Sequence, residues 1–210
     1  MTTKDKATKI IKKRYNRFAP LYDFLEGIIE RPDFSRWREL LWSKVTDAHI
    51  LEVDVGTGKN FLYYPPDDKV TAIDLSEGML ERAQIKASKQ KVKVRLEQMD
   101  VQNLKFTDNT FDTIVASCGF CTVPDPIQGL KGIERVSKAG GKIVLLEHVL
   151  SAGRIAGFLM NLLNSLAVLM IGDNVNRRTV ENVTKSGLII AEVTDLKASI
   201  IKLIEARKQA

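Results

Sequence analysis

Cysteine and histidine are scarce in this chain: Cys118, Cys121, His49 and His148 are all that 210 residues contain. Two cysteines three positions apart exclude a disulfide framework and fit a reducing compartment. Four such side chains, so scattered, do not make a metal centre, and none is expected. The three clustered cysteines of a radical iron–sulfur enzyme are also missing. No apolar run reaches the roughly 20 residues of a membrane-spanning helix. The charged N-terminus lacks the apolar core of a secretion signal, so a cytoplasmic location is the expectation.

A broadly distributed charge excess is absent too. The formal net charge is +6, but residues 1–17 hold Lys4, Lys6, Lys9, Lys12, Lys13, Arg14 and Arg17 against Asp5 alone. Seven bases and one acid account for the whole excess, and the rest of the chain is neutral. The basic character therefore belongs to an arm. With 44% hydrophobic and 28% charged residues, the remainder reads as one soluble domain large enough for a sizeable core. The expected division is an N-terminal helical arm or lid over residues 1–45 and a cofactor-binding domain over 46–210.

Behind the arm lie helical stretches at 20–30 and 33–44. Short β-branched runs then alternate with helical patterns: HILEVDV (49–55), KVTAIDL (69–75), VKVRLEQM (92–99), FDTIVAS (111–117) and KIVLLEHV (142–149). Between them fall a short piece at 60–64 and helices at 76–90 and 125–138. Such alternation predicts an α/β fold, a Rossmann-like, mostly parallel sheet with helices on both faces. GLIIAEVTDL (187–196) and ASIIKLIEAR (198–207) close the chain with one residue between them, which permits only an antiparallel pair. Seven strands result.

LEVDVGTGKN (51–60) runs a buried strand into a glycine turn, at the edge where ligands of such sheets bind. A dinucleotide fingerprint would place a further glycine where Phe61 stands, and a phosphate loop would need Ser or Thr after Gly58-Lys59. Nicotinamide dinucleotides and ATP are disfavoured. Asp74 closes the second strand, where a carboxylate can accept ribose hydroxyls, and Asp100 follows the third, within reach of an adenine amino group. Any one of these acids is a common turn residue. Glu52, Gly56, Gly58, Asp74 and Asp100 together, on three successive strand ends, form a constellation for S-adenosylmethionine.

On these residues the chain resembles class I S-adenosylmethionine-dependent methyltransferases over roughly 15–207. The matching stretches are the glycine turn, VTAIDLSEGMLERA, MDVQNLKFTDNTFDTIVAS and SKAGGKIVLLEH. Tyr15–Asp23 (YNRFAPLYD) is similar to the opening of quinone-biosynthesis C-methyltransferases. FCTVPDPIQGL, LLEHV and GDNVNRRTVENV look closer to bacterial phospholipid N-methyltransferases and related membrane-associated thiol methyltransferases. The resemblance implies a cofactor site of Glu52, Asp54, Gly56, Thr57, Gly58, Asp74, Leu75, Met79, Asp100, Val101 and Ser117, with S-adenosylhomocysteine as product. Two departures stand out. Ser137-Lys138-Ala139-Gly140-Gly141 replaces Leu-Lys-Pro-Gly-Gly, a mild turn change. Asp54 stands where the family has glycine, and a carboxylate near the methionine end of the cofactor is expected to weaken binding without abolishing it.

Methyl transfer needs positioning and water exclusion more than side-chain chemistry, but an amine must first lose a proton and a thiol must ionise. Tyr15, Tyr22 and His148 are the candidates for that role. Asp173 is a candidate partner for a cationic headgroup, and Arg177 and Arg178 for an anionic one or else for a solvated face; a lone His148 equally has a structural reading. His49, at the far end of the first strand, and the tyrosines as core anchors have plain structural readings, and the Cys118/Cys121 pair reads as pocket lining. IAGFLMNLLNSLAVLMI (155–171) is apolar except for Asn161, Asn164 and Ser165 on one face, and is expected to form a greasy pocket or lid, or else a core helix. In the arm, Ala7, Ile10, Ile11, Tyr15 and Phe18 oppose Lys6, Lys9, Lys13 and Arg17. That pattern suits peripheral contact with an anionic inner membrane surface through residues 4–18, or a solvated helix over the cofactor cleft.

The expected activity is methyl transfer to a lipid-like or hydrophobic small molecule, with phosphatidylethanolamine N-methylation first. Thiol or quinone methylation, or a catalytically silent cofactor-fold protein because of Asp54, are the alternatives. Nucleic acid is not expected, because the fourth-strand motif lacks the Asn/Asp-Pro-Pro-Tyr/Phe run that grips a flipped base.

Overall fold

In a computed structural model the chain is described over residues 3–29, 32–46, 49–67, 69–170 and 172–209. Its parallel strands are β1 (His49–Val53), β2 (Lys69–Asp74), β3 (Arg95–Gln98), β4 (Phe111–Ser117) and β5 (Ser137–His148). An antiparallel pair, β6 (Ile189–Lys197) and β7 (Ile201–Arg207), completes a seven-stranded sheet of order β3-β2-β1-β4-β5-β7-β6. This is the expected sheet. The order reverses between β1 and β4, and that reversal opens a crevice beyond the strands' carboxyl ends. The β6–β7 turn is tight because Ala198 and Ser199 both take positive φ, 47° and 56°. Their right-handed-strand-compatible twist is that of primed hairpin turns.

The helices are α1 (Thr3–Ile29), α2 (Pro32–Ser43), α3 (Glu77–Gln90), α4 (Pro126–Val136), α5 (Arg154–Met170) and α6 (Thr179–Lys185). One face of the sheet buries Leu51, Val53, Ile114 and Leu145 against Leu130, Ile133 and Val136 of α4 and Val183 of α6. The other buries Ile50, Val115 and Val144 against Leu41 and Trp42 of α2. Both faces are covered, so the strands read as continuous apolar runs. Helix starts follow local chemistry. Ser76 Oγ accepts from Met79 N at 3.2 Å at the start of α3, and Asp125 Oδ1 accepts from Gln128 N at 3.1 Å with Pro126 at the first helical position of α4.

Two expectations need correction. The arm and the stretch at 20–30 are not separate: α1 runs unbroken to Ile29 with Pro20 inside it, and residues 30 and 31 lie outside the described set. An internal proline costs a helix about 3 kcal/mol; here tertiary anchors on its N-terminal side hold the line. Ala19 is buried and meets Gly78 of α3, while Asn16 Oδ1 accepts from Ser76 Oγ (2.6 Å) and Gly78 N (3.2 Å).

The second correction concerns α5, which is neither a core helix nor a wall of the cavities described below. Phe158, Leu162, Leu163, Leu166 and Leu169 are each more than half exposed. The inward side is made by Gly157, Met160, Ala167, Val168 and the half-buried Asn164, whose Oδ1 accepts from Asn176 N; Asn161 is exposed, and its Oδ1 accepts from Asn176 Nδ2. The helix presents its large apolar side chains to the outside and packs inward mainly through small and half-buried residues.

Candidate active site

The glycine turn is shaped by backbone geometry. Asp54 takes φ 56° and Gly56 φ 56°, with Val55 N donating to Ile73 O and Gly58 N to Val55 O, each at 3.0 Å. Asp tolerates that left-handed conformation better than most residues, so the turn forms without its usual glycine. A Cβ at Gly56 would meet nothing within 4 Å, which leaves its backbone open toward the crevice.

Asp54, Gly56, Asp74, Leu75, Met79, Asp100, Val101 and Ser117 all line one cavity of about 780 Å³ that opens to solvent. Asp74 is held in place by Gly56 N on Oδ2 (2.9 Å) and Ser76 N on Oδ1 (2.8 Å). Asp100 Oδ1 accepts from Gln102 N at 2.9 Å. Both carboxylates keep further lone pairs for a ligand. Burial raises Asp74 to a pKa of about 6.

Glu52, Thr57 and Gly58 are not among the residues that line this cavity. Glu52 is fully buried and accepts from Asn60 Nδ2 (2.5 Å) and from the Tyr64 hydroxyl. Burial raises its pKa to about 7 against those two bonds. Thr57 is buried, and the Phe61 ring packs where a side chain at Gly58 would go. These three shape the turn itself.

A second cavity, about 1000 Å³, adjoins the first through Tyr15, Tyr22, Arg38 and Cys118, which line both. His148, Asp173 and Cys121 complete its polar lining, with Phe34, Val175 and Ile201 as apolar wall. Tyr15 donates its hydroxyl to Asp173 Oδ1 at 2.9 Å, and the two tyrosine rings lie 6.3 Å apart. Burial raises the Asp173 pKa and lowers that of His148, leaving the imidazole neutral near pH 7. Cys118 and Cys121 are free thiols at this junction.

Arg177 and Arg178 are not brought to the cavities. Arg177 donates to the Cys121 and Val123 carbonyls and so holds the loop after β4, while Arg178 pairs with Glu181 at 3.0 Å on the surface. His49 accepts its structural reading: its Nδ1 lies 3.0 Å from Thr110 O and its ring packs on Phe111.

Several residues escaped the sequence reading. Arg38 of α2 reaches both cavities, and Gln102 ties Asp100 to Thr8 of α1 and to Asp125 N. Glu147 is fully buried; its Oε1 accepts from Gly119 N (3.1 Å) and Phe120 N (3.3 Å), and burial raises its pKa to about 8. No spacing rule marks such residues, because their partners come from loops distant in sequence.

Two linked cavities at the switch point of a parallel sheet define a cofactor-dependent group-transfer site. The acid-rich first cavity suits a ligand with ribose hydroxyls and positive charge, and a buried Asp54 oxygen without a hydrogen-bond partner supports the fit. Comparison with known proteins agrees. Residues 51–145 match a family described as a methyltransferase domain. The chain is 36% identical over 141 residues to a phosphatidylethanolamine N-methyltransferase of Cereibacter sphaeroides, across 66% of this chain and 68% of that one. It is 32% identical over 146 residues to a ubiquinone/menaquinone biosynthesis C-methyltransferase of Geotalea daltonii, across 65% and 62%. Among solved structures, the [4+2]-cyclase SpnF superposes with a TM-score of 0.76 at 17% identity over 95% of each chain. A geranyl diphosphate C-methyltransferase from Streptomyces coelicolor A3(2), solved with S-adenosyl-L-homocysteine, gives 0.68 at 14% identity, over 83% and 77%. These two likenesses concern the fold alone. The chain belongs to the class I S-adenosylmethionine-dependent methyltransferases. It is an enzyme of that class, and S-adenosylmethionine is its cofactor.

Proposed function

We propose that this methyltransferase acts on a lipid-borne amine, with phosphatidylethanolamine as first choice, at an anionic membrane surface. The carrying observation is the second cavity, where a half-buried carboxyl, Asp173, stands beside two tyrosine rings and a neutral imidazole within an apolar wall. A carboxylate and aromatic faces attract an ammonium group. Bound cofactor supplies an activated methyl group open to in-line displacement. Asp173 orients the headgroup, Tyr15 fixes Asp173, and His148 Nε2 or Nδ1 takes the proton that frees the nitrogen lone pair. Tyr22 and Cys118 exclude water between the cavities. Residues 1–45 serve as the lid, since α1 contributes Ile11, Lys12 and Tyr15 to the cofactor cavity.

Membrane contact has two supports. Lys6, Lys9, Lys13 and Arg17 are exposed on α1, with Ile10 and Phe18 also exposed beside them. The outward leucines of α5 add an apolar surface of the kind that marks lipid or partner contact. Among the described residues no helix is long and apolar enough to cross a membrane, so the contact would be interfacial. Arg14 Nη1 donates to Val168 O at 2.7 Å, coupling the two helices.

Quinone C-methylation is the second reading, favoured by the Geotalea daltonii relative and by the YNRFAPLYD opening of the candidate lid. A panel assay separates them: labelled methyl transfer into phosphatidylethanolamine vesicles, a demethylated quinone and a hydrophobic thiol. Dominant incorporation into the phospholipid is expected; dominant incorporation into either other acceptor overturns the amine reading.

A further inference from the structure

Asp54 is the chain's own departure from its family, and its surroundings give it a task. It sits at the end of β1 in the left-handed conformation, lines the cofactor cavity, and turns its carboxyl toward the loop after β4. There a Cβ at residue 119 would lie 2.4 Å from Asp54 Oδ2, so only glycine fits opposite it. Oδ2 is buried and lacks a hydrogen-bond partner. A buried acceptor left unsatisfied is costly, and such an atom beside a ligand cavity is an acceptor waiting for a donor or a cation.

The charges around it come from every neighbouring element. Glu52 lies on β1, Asp74 ends β2, Asp100 follows β3, and Glu147 lies on β5; all four act to keep a proton on Asp54, after the larger effect of burial. Positive charge enters the cavity lining from Lys12 of α1 and Arg38 of α2. With the nucleoside on Asp74 and Asp100, as the resemblance implies, the methionine tail would fall toward Asp54 and Gly119, which line the same cavity. That tail carries an ammonium, a sulfonium and a carboxylate.

We propose that Asp54 is a charge-reading residue of the cofactor site: its Oδ2 accepts the positive charge of the methionine tail, so the carboxyl strengthens binding rather than weakening it. The step balances simply. Without ligand the carboxyl holds its proton; on binding, that proton leaves to solvent and the carboxylate is paired by the incoming cation. A glycine, usual at this position in the family the chain resembles, would offer only backbone. The role of the Asp54 carboxyl concerns the cofactor alone and stands whichever acceptor proves right.

The test is calorimetric titration of the full-length protein, wild type and Asp54→Asn, at pH 6.5 with three ligands. S-adenosylmethionine carries both cationic groups, S-adenosylhomocysteine only the ammonium, and 5′-methylthioadenosine neither. Asn keeps the size and the left-handed preference of Asp, and Asp54→Gly restores the family residue as a second variant. We expect both variants to bind S-adenosylmethionine on the order of ten- to a hundredfold more weakly, the scale of hydrogen bonds to charged groups, with methylthioadenosine unchanged. A parallel loss for S-adenosylhomocysteine assigns the ammonium as partner; its retention assigns the sulfonium. Titrations in buffers of different ionisation enthalpy should show proton release with wild type and less with Asn. Equal or tighter binding of S-adenosylmethionine by the variants overturns the proposal. So does an equal loss for all three ligands, which would mean a structural role only.

Discussion

Tyr15 of the first helix donates its hydroxyl to Asp173, 158 residues away, at 2.9 Å. One bond thus joins α1 to a carboxyl that lines the second cavity, the proposed substrate site. Tyr15→Phe keeps the ring and removes the bond. A lost hydrogen bond to a charged acceptor is worth about 1.5–3 kcal/mol, so kcat/KM for an amine acceptor should fall by roughly ten- to a hundredfold. Affinity for S-adenosylmethionine should stay the same, because Phe keeps the ring that lines the first cavity. Steady-state kinetics with a binding titration on the same sample checks both.

Gly119 and Asp54 compete for one space, since a Cβ on residue 119 would lie 2.4 Å from Oδ2. Gly119→Ala should therefore destabilise the protein by about 1–3 kcal/mol, the range of overpacking in a filled interior. In an Asp54→Gly background the same change should cost little. Thermal melts of the four proteins form a double-mutant cycle, and additive effects would show that the two residues do not touch.

Three buried carboxyls hold their protons unusually late: Glu52 to about 7, Asp74 to about 6 and Glu147 to about 8. In the unfolded chain they titrate near 4. Between about pH 4 and 8 the native state then binds more protons than the unfolded one, so their contribution is full at low pH and is lost as pH rises. The melting temperature of cofactor-free protein should fall from pH 5.5 to 8.5. Glu147→Gln removes the upper part of that fall while keeping an acceptor for Gly119 N and Phe120 N. A melting temperature that rises over this range would contradict the account.

The outward leucines of α5 predict a separation between folding and binding. Leu162 and Leu166 are 64% and 52% exposed, so serine at both should leave the melting temperature near that of wild type. If they enter a bilayer surface, each forfeits part of the 1.5–3 kcal/mol that burying a leucine provides. Partitioning onto anionic vesicles should then drop by at least roughly tenfold, as co-sedimentation would read. Added salt should weaken wild-type binding too, by screening the lysines of α1.

The cofactor cavity was legible because its acids sit at the ends of period-defined apolar strands: once β1, β2 and β3 are placed, Asp54, Asp74 and Asp100 must share one edge. Glu147 was not, because a lone acid in KIVLLEHV gains meaning only from the Gly119 and Phe120 amides that fold back onto it. Arg38 carries no local mark in the helical stretch 33–44 and gains meaning only from the two cavities it lines. Arg177 and Arg178 looked like anion ligands, whereas loop carbonyls and Glu181 claim their donors. For α5 the pattern did not tell which side turns inward: Gly157, Met160, Asn164 and Val168 do, while Asn161, Ser165 and the leucines stay exposed. The arm and the stretch at 20–30 form one helix through Pro20, held by the contacts of α1 with α3, which lie far away in sequence.

The central claim is that Asp173 receives the ammonium of a membrane amine. The most direct measurement is the rate of labelled methyl transfer from S-adenosylmethionine into phosphatidylethanolamine vesicles, wild type against Asp173→Asn, with cofactor affinity measured alongside. The account predicts transfer by wild type, and a loss of at least about tenfold in kcat/KM on neutralising the carboxylate, at unchanged cofactor affinity. No transfer by wild type that binds its cofactor, or equal transfer by both proteins, would contradict it.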